Sequence, residues 1–435
     1  MATDLRFVRW SLLLVVALSA SFQVSHAQNS IVNEDRSDTD RKYFVTPYAF
    51  YSGTLEFAGA ATFTARGLWQ PQLYSQNTLI GSSNGSFFLL SSINDLRILD
   101  RLFVKSNIRA GQFGLVKVYS GVDESGELAG KNDSDVENYR EKEGTDVFVS
   151  MDLRYLLPLG SAKQEPVTEI VLRDGRIIQG RTGAVGWHPV SSGRTFLELK
   201  PFFRVRDLED ASAEIKEKEE TSTNGLRFGT TYENVDFSEN PSTGSIYSAT
   251  YNRDFGWGES DTEWDSMEFE YSRFLTVAGG GTGSRGVLAL NVWTSQVLSW
   301  DEFDESADGS KRYRRPPSFL GSTLGGNERF RGYDVFRFSD RSALYYGMEY
   351  RHTPDWRPVR FKILANQVDI SWFQFVAFAE AGRVAPDWQL STLHEDMKWD
   401  AGIGVRPWVN DVLVRVDLGL SSEGQFITMT VNQPF

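Results

Sequence analysis

The stretch Leu324-Gly-Gly-Asn-Glu-Arg-Phe-Arg-Gly-Tyr333 carries paired glycines, an Arg-Gly step and flanking aromatics inside the long polar segment 301–341. A solvated loop has no use for that combination, whereas a loop that folds back into a confined space does. The chemistry it offers is charge pairing out of water. A guanidinium taken from water is costly unless carboxylates meet its fork, so Arg331 requires acidic partners, and Glu349 and Glu380 follow it in the chain. Buried ion pairs more often fix a conformation than perform work. The plain expectation is a cluster that rigidifies its surroundings, and the sharper one is a docked loop that controls the opening of the strands around it. Either way, Arg331→Ala should lower stability or loop order.

Other chemistries find little support. Past residue 27 the histidines are His188, His352 and His394, and no Gly-x-Ser-x-Gly elbow occurs. His394-Glu395-Asp396 reads as a solvated loop, because adjacent residues on an extended segment point apart. Gly279-Gly-Gly-Thr-Gly-Ser-Arg-Gly286 lacks the phosphate-binding lysine and suits a tight turn. No nucleophile with a positioned histidine can be assembled, so neither enzymatic activity nor a metal or cofactor is expected. With 45 basic against 58 acidic residues and a pI near 5.0, nucleic acid is not an expected partner.

The elements that must hold Arg331 are read from the rest of the chain. Arg6 and Arg9, the apolar run Leu12–Leu18 and Ser25-His26-Ala27 form a secretory signal peptide over 1–27, with Gln28 as the first mature residue. No later apolar run is long enough for a helical span, and mean hydropathy is −0.34. Yet 13% of residues are aromatic and apolar residues alternate with polar ones over many short segments. A β-barrel keeps hydropathy low in this way, because every other residue faces a wet interior. Cysteine is absent, so no disulfide stabilises the exported fold.

Parity carries the assignment. Val412, Val414, Val416, Leu418 and Leu420 share one face, opposite Arg415, Asp417 and Gly419. Leu344, Tyr346, Met348 and Tyr350 likewise separate from Tyr345, Gly347, Glu349 and Arg351. Leu197, Leu199, Phe203 and Val205 separate from Glu198, Lys200, Arg204 and Arg206. A transmembrane antiparallel barrel is predicted over 43–435, with strands near 43–52, 55–68, 74–81, 84–97, 103–119, 144–156, 196–207, 225–235, 244–256, 262–276, 285–299, 342–353, 373–384, 399–408, 411–421 and 425–435. That makes fifteen strands, or sixteen with the one at 74–81, after a short periplasmic segment at 28–42. Pro201 and Pro407 are expected at strand ends or bulges. Connections are expected to be short on one side and long on the other, the long ones being Ser120–Gly144, Asp210–Asn224 and Asp301–Arg341. Ile427, Met429, Val431 and Phe435 are placed on one face of the last strand, and a terminal aromatic on such a strand resembles the signal that outer-membrane proteins present to their assembly machinery.

Several motifs together are similar to those of the BamA/TamA-type outer-membrane proteins, the bacterial surface antigen superfamily. Asn240-Pro-Ser-Thr-Gly244 resembles that family's Pro-x-x-Gly turn, and Gly325–Tyr333 resembles its Arg-Gly-Phe/Tyr loop. Glu349-Tyr-Arg351, Phe378-Ala-Glu-Ala-Gly382 and Gly402-Ile-Gly-Val-Arg406 resemble the motifs of the strands that follow. Order and spacing agree over roughly the C-terminal half. The resemblance implies a loop folded into the lumen, where Arg331, Gly332 and Tyr333 meet Glu349, Phe378, Glu380 and Gly382, with Arg331 as the buried cation. The chain departs from the family in carrying Glu380 where Asp is usual, a longer side chain that could shift the pairing.

The resemblance also implies a place in the Gram-negative outer membrane, with lipid and lipopolysaccharide around the barrel, the barrel assembly machinery as a biogenesis partner and a periplasmic protein as a further one. Only about 15 residues separate Gln28 from Tyr43, too few for a periplasmic POTRA domain, so a barrel-only member is expected. Three functions follow. The first is assistance in outer-membrane biogenesis, inserting, assembling or transporting proteins or lipids. The second is a passive or gated pore, and the third a surface receptor or adhesin.

Overall fold

The alternation in the sequence is realised as one antiparallel sheet rolled into a barrel. The computed structural model describes residues 30–34, 43–52, 54–120, 129–173, 176–211, 218–279, 283–305, 311–355, 359–363, 366–409 and 412–435. The signal peptide at 1–27 lies outside the described residues, as does most of the segment 28–42. Sixteen barrel strands follow in chain order: β1 (Tyr43–Ser52), β2 (Glu56–Arg66), β3 (Tyr74–Ser82), β4 (Phe87–Arg97), β5 (Leu102–Val118), β6 (Arg140–Leu156), β7 (Arg194–Asp210) and β8 (Lys218–Val235) make the first half. β9 (Gly244–Asp254), β10 (Trp264–Gly279), β11 (Arg285–Val297), β12 (Ser342–Thr353), β13 (Asn366–Ala385), β14 (Lys398–Val409), β15 (Val412–Ser421) and β16 (Gly424–Val431) make the second. Each pairs antiparallel with the next, from β1 with β2 to β15 with β16. β16 comes back beside β1 at a seam for which, among the described residues, there is no ladder register.

The barrel is apolar outside and charged inside. Leu197, Phe203, Phe228, Tyr247, Phe269, Met348, Ile403 and Leu420 are exposed on the outer wall, whereas Lys105, Asp146, Arg154, Lys200, Arg204, Glu233 and Arg351 are buried. A protein that presents its greasy surface and hides its charges is built for lipid outside and a polar lumen. Across β8, β9 and β10, the outward rings of Tyr232, Tyr247 and Tyr271 form a row, the first pair stacked and the second tilted, with centroids 6.1 and 4.7 Å apart.

Of the two prolines, Pro407 lies two residues from the end of β14 beside a bulge, as expected, whereas Pro201 corrects the expectation by lying well inside β7. The β7–β6 ladder runs to Leu199↔Leu153 and resumes at Phe202↔Ser150; the β14–β15 ladder runs to Val405↔Val416 and resumes at Trp408↔Leu413. Register is unchanged across each gap. On its other side Pro201 faces Leu226 within an unbroken register, whereas Pro407 faces Phe373 one pair from a register shift between Ile370 and Trp372. A residue without an N–H interrupts one ladder locally and need not shift it.

The mouth at which β1 begins and β16 ends is not a row of short turns. The connection 157–193 is long and holds two short strands, Thr168–Arg173 and Arg176–Gln179, which pair with each other. Ser30–Glu34 adds to the first of them in parallel. This three-stranded sheet buries Ile170 and Leu172 against Phe237, Trp372, Trp408 and Leu413. The indoles of Trp372 and Trp408 stack 5.5 Å apart. The Arg176 guanidinium donates to the carbonyls of Gly283 and Pro354, so the sheet is tied to two further turns of that rim. Strands of six and four residues flanked by Pro158, Pro166 and glycines give too little alternation to read as elements from sequence.

The end of the chain also departs from expectation. β16 stops at Val431, Asn432 takes a positive φ of 69°, and Phe435 turns into the lumen among Val235, Ile246, Phe274, Val287 and Ala289. Ile427, Met429 and Val431 share one face of β16 in an unbroken register, as expected, and Phe435 alone leaves it.

Candidate functional site

At the far mouth, the segment between β11 and β12 turns back into the barrel. Ser322–Leu324 and Phe338–Asp340 pair as a short hairpin whose tip is the stretch 325–337. Gly325 and Gly326 adopt φ of 113° and 106°, and a Cβ on Gly325 would lie 2.2 Å from the Asp334 carbonyl oxygen, so only glycine permits this return. The backbone N–H groups of Gly325 and Gly326 donate to the carbonyls of Arg329 and Phe330. Phe330, itself at a φ of 63°, packs edge-on against Tyr333, Phe338 and Tyr345. This aromatic wedge, with Leu324 and Trp293, carries Arg331 to the barrel wall.

There Arg331 is fully buried, and its main chain and side chain are both engaged. Its backbone N–H donates to Glu380 Oε2 at 2.8 Å and its Nε to Glu380 Oε1 at 3.0 Å. Nη1 donates to Glu349 Oε1 at 2.6 Å and to Asp417 Oδ2 at 2.7 Å. The guanidinium lies 3.5 Å over the Phe378 ring. The added length of Glu380 fits the loop, since its two oxygens serve the side chain and the main chain of one residue. Gly332 N–H donates to Asp400 Oδ2 at 2.7 Å, and the Tyr333 hydroxyl to the Trp399 carbonyl at 3.1 Å. A Cβ on Gly382 would meet the Leu344 carbonyl oxygen at 2.6 Å and both Leu324 and Phe330 at 3.3 Å, so this glycine makes room for the wedge.

The structure thus brings Arg331, Gly332, Tyr333, Glu349, Phe378, Glu380 and Gly382 together and adds partners that the reading of the loop left out. Glu349 also accepts from Arg351 Nε at 2.7 Å and from Arg406 Nη2 at 2.6 Å. Asp417 receives Arg406 and Arg415, and Arg415 Nη2 donates to the Asn327 carbonyl at 2.7 Å. Four guanidinium groups and four carboxyl groups, from the loop and strands β12 to β15, form one buried network. Strand parity was the available signal for Arg415 and Asp417, and Gly402–Arg406 that for Arg406; nothing in the sequence distinguishes Asp400. Phe435 joins from the other end, its ring 5.2 Å from the Arg351 guanidinium and its carbonyl accepting from Arg351. Such a network is a lock. Its carboxylates are engaged by guanidinium groups, main-chain N–H groups and the Tyr345 hydroxyl, which donates to Glu380.

The loop is fastened again nearer the far rim. Arg337 Nε donates to Glu423 Oε2 at 2.9 Å in the β15–β16 turn, and its Nη2 donates to the Ser134 carbonyl at 2.7 Å in the connection between β5 and β6. The Tyr119 hydroxyl donates to Asp334 at 3.1 Å. Burial, then the charge of Asp334, holds the Tyr119 hydroxyl above its ordinary value; burial also raises the Glu423 carboxyl, with Arg337 acting the other way. Within the lumen, the loop roofs a cavity of about 400 Å³ lined by both charge signs, among them Lys105, Arg154, Glu198, Lys200, Arg227 and Glu268. His394 ends the short helix Leu390–His394, its ring nitrogens bonded to the Tyr346 hydroxyl and the Leu390 carbonyl. Of the glycine run 279–286, residues 280–282 lie outside the described residues.

No protein-family model matches the chain, and no curated protein matches it. Solved structures do. The chain is similar to BamA from Haemophilus ducreyi lacking POTRA domains 1–3, at 11% identity and a TM-score of 0.49, over 90% of this chain and 70% of that one. It is similar to CdiB from Acinetobacter baumannii at 10% identity and a TM-score of 0.47, over 90% and 59%. To CdiB from Escherichia coli it is similar at 10% identity and a TM-score of 0.51, over 89% and 61%. The chain therefore spans about three fifths of the length of the two CdiB chains. At these identities the likeness is one of fold alone.

Proposed function

We propose that this protein is an outer-membrane barrel that assists membrane biogenesis, inserting, assembling or transporting proteins or lipids together with partner proteins. The observation that carries the reading is the convergence on Arg331. Motif residues from the loop, β12, β13 and β14, scattered over 331–406, meet in one buried network that ties the loop to the four strands before the last. A loop so placed sets whether those strands stay together, which is what an insertion or transport step would have to change. The outward apolar wall supports residence in a bilayer. Depleting the protein and then measuring the outer-membrane proteome and lipid composition tests the proposal: defects in either are expected, and unchanged profiles would sink it.

A gated pore is the second reading, favoured by the charged cavity under the loop. The docked loop at one mouth and the three-stranded sheet at the other argue against a steadily open one. Planar-bilayer recording separates the two, because a gated pore should show discrete openings that survive removal of every partner.

A further inference from the structure

On the chain-end rim, beyond the three-stranded sheet, the connection runs through Gly180-Arg-Thr-Gly-Ala-Val-Gly-Trp-His-Pro-Val190 before entering β7. Val185 and Trp187 are 82% and 83% exposed, the highest among the large apolar side chains of the described residues, and Val190 in the same loop is 59% exposed. This tip is not slack chain. Ala184 N–H donates to Asn234 Oδ1 at 2.7 Å, and Asn234 Nδ2 donates to the Gly186 carbonyl at 2.6 Å. The N–H groups of Val185 and Gly186 reach Ser192 Oγ, which itself donates to Asn234 at 2.8 Å. The main-chain groups of Ala184, Val185 and Gly186 are thus bonded inward, to buried Asn234 at the end of β8 and buried Ser192 just before β7, while the apolar side chains are turned out. A soluble loop gains nothing from that arrangement. A loop entering an apolar medium requires it, since unpaired peptide groups there are costly.

The loop's position names the medium. Tyr232 lies on the outer wall, first in the row with Tyr247 and Tyr271, and its hydroxyl donates to the carbonyls of Trp187 and Ser192. The tip therefore lies over the lipid-facing wall, continuous with it. Trp with aliphatic neighbours is the composition that settles at the headgroup boundary. The same rim carries exposed Leu68, Trp69, Ile98 and Leu99 in turns joined to each other by Gln70 and Arg97, and Arg101 ties the second of them to Ala162 in this connection.

We infer that the Ala184–Val190 loop is an interfacial lipid anchor: Val185, Trp187 and Val190 enter the phospholipid headgroup boundary of the leaflet at the chain-end mouth. The anchor tethers the connection whose other half forms the sheet across that mouth. This rests on the barrel residing in a bilayer but on nothing about what it inserts or transports.

The chain has no cysteine, so single-cysteine variants report one site each. The full chain, labelled with an environment-sensitive fluorophore at Val185→Cys, is reconstituted in nanodiscs of phosphatidylethanolamine and phosphatidylglycerol carrying a lipid spin-labelled near the carbonyl. Phe228→Cys on the outer wall marks lipid, and Lys163→Cys, exposed on the same connection, marks water. The Val185 probe is expected to shift to the blue and to be quenched at least half as much as the Phe228 probe, and adding Trp187→Asp should halve that quenching. A Val185 probe that behaves like the Lys163 probe while Phe228 is quenched overturns the anchor, including the case in which the loop is instead covered by a periplasmic protein. Failure of the Phe228 probe to be quenched overturns the bilayer reading and the anchor with it.

Discussion

Arg331 is the residue on which the far mouth depends. It faces carboxylates from three strands, so Arg331→Ala leaves Glu349, Glu380 and Asp417 buried with their shared cation gone. Removing one partner of a buried pair costs about 3–5 kcal/mol. The variant should lose heat-modifiability at a lower temperature and admit protease between 324 and 333. Arg331→Lys should recover only part of the loss, because an ammonium cannot supply Nε and Nη1 to Glu380, Glu349 and Asp417 at once. Gly419 tests the docking without touching a charge. A Cβ there would lie 2.5 Å from the Arg331 carbonyl oxygen and 2.6 Å from the Gly332 nitrogen, in backbone that has no room to give. Gly419→Ala should cost ~1–3 kcal/mol as overpacking and expose the same loop to protease, with the barrel's circular dichroism unchanged.

Among the elements, the three-stranded sheet and the docked loop are opposed stoppers held by different forces. The loop is held mainly by charge, whereas the sheet is held by Ile170 and Leu172 on stacked indoles and by the two carbonyls that Arg176 reaches. High salt should therefore leave both seated, since neither set of contacts is exposed to screening. Replacing Thr168–Gln179 with a short Gly-Ser linker should free the chain-end mouth and raise single-channel conductance modestly above that of the wild type. Arg176→Ala should give a smaller rise. Strand parity makes the barrel walls legible in the sequence, because each wall strand carries its own alternation of apolar and polar residues. It misplaces Pro201 at an end or bulge, since whether a missing N–H disturbs a ladder is settled by the pairing on both sides. Nor can it reveal the sheet, whose central strand shows only Ile170 and Leu172 as an alternating pair and is completed by residues 30–34, far away in the chain.

For the whole molecule, two stoppers in series predict a barrel that stays largely shut when only one of them is removed. In planar bilayers the wild type should show little steady conductance. Deleting the loop tip 325–337 together with Thr168–Gln179 should open it by more than the two single changes summed. Additive openings would mean that the lumen is not blocked in series. The anchor at Val185–Val190 adds a coupling between the bilayer and one stopper, and the lumen lock couples the other stopper to strands β12 to β15.

The sequence by itself determined the barrel and the face on which the wall charges lie, because a period of two is a local property that every short segment carries; that the strands number sixteen, not fifteen, was decided by the structure. It also singled out Arg331 with Glu349 and Glu380, because a loop cation bound for the lumen must have anions on inward faces. Which other groups complete the lock was decided only by tertiary structure. Closing the sheet brings Asp400, Arg406, Arg415 and Asp417 to the height of Arg331, and that height depends on strand stagger, which no single strand encodes. The same holds for Phe435, drawn inward once its strand ends at Val431, and for the sheet at the chain-end mouth, whose parts have no apolar face to bury until the barrel rim supplies Phe237, Trp372 and Trp408.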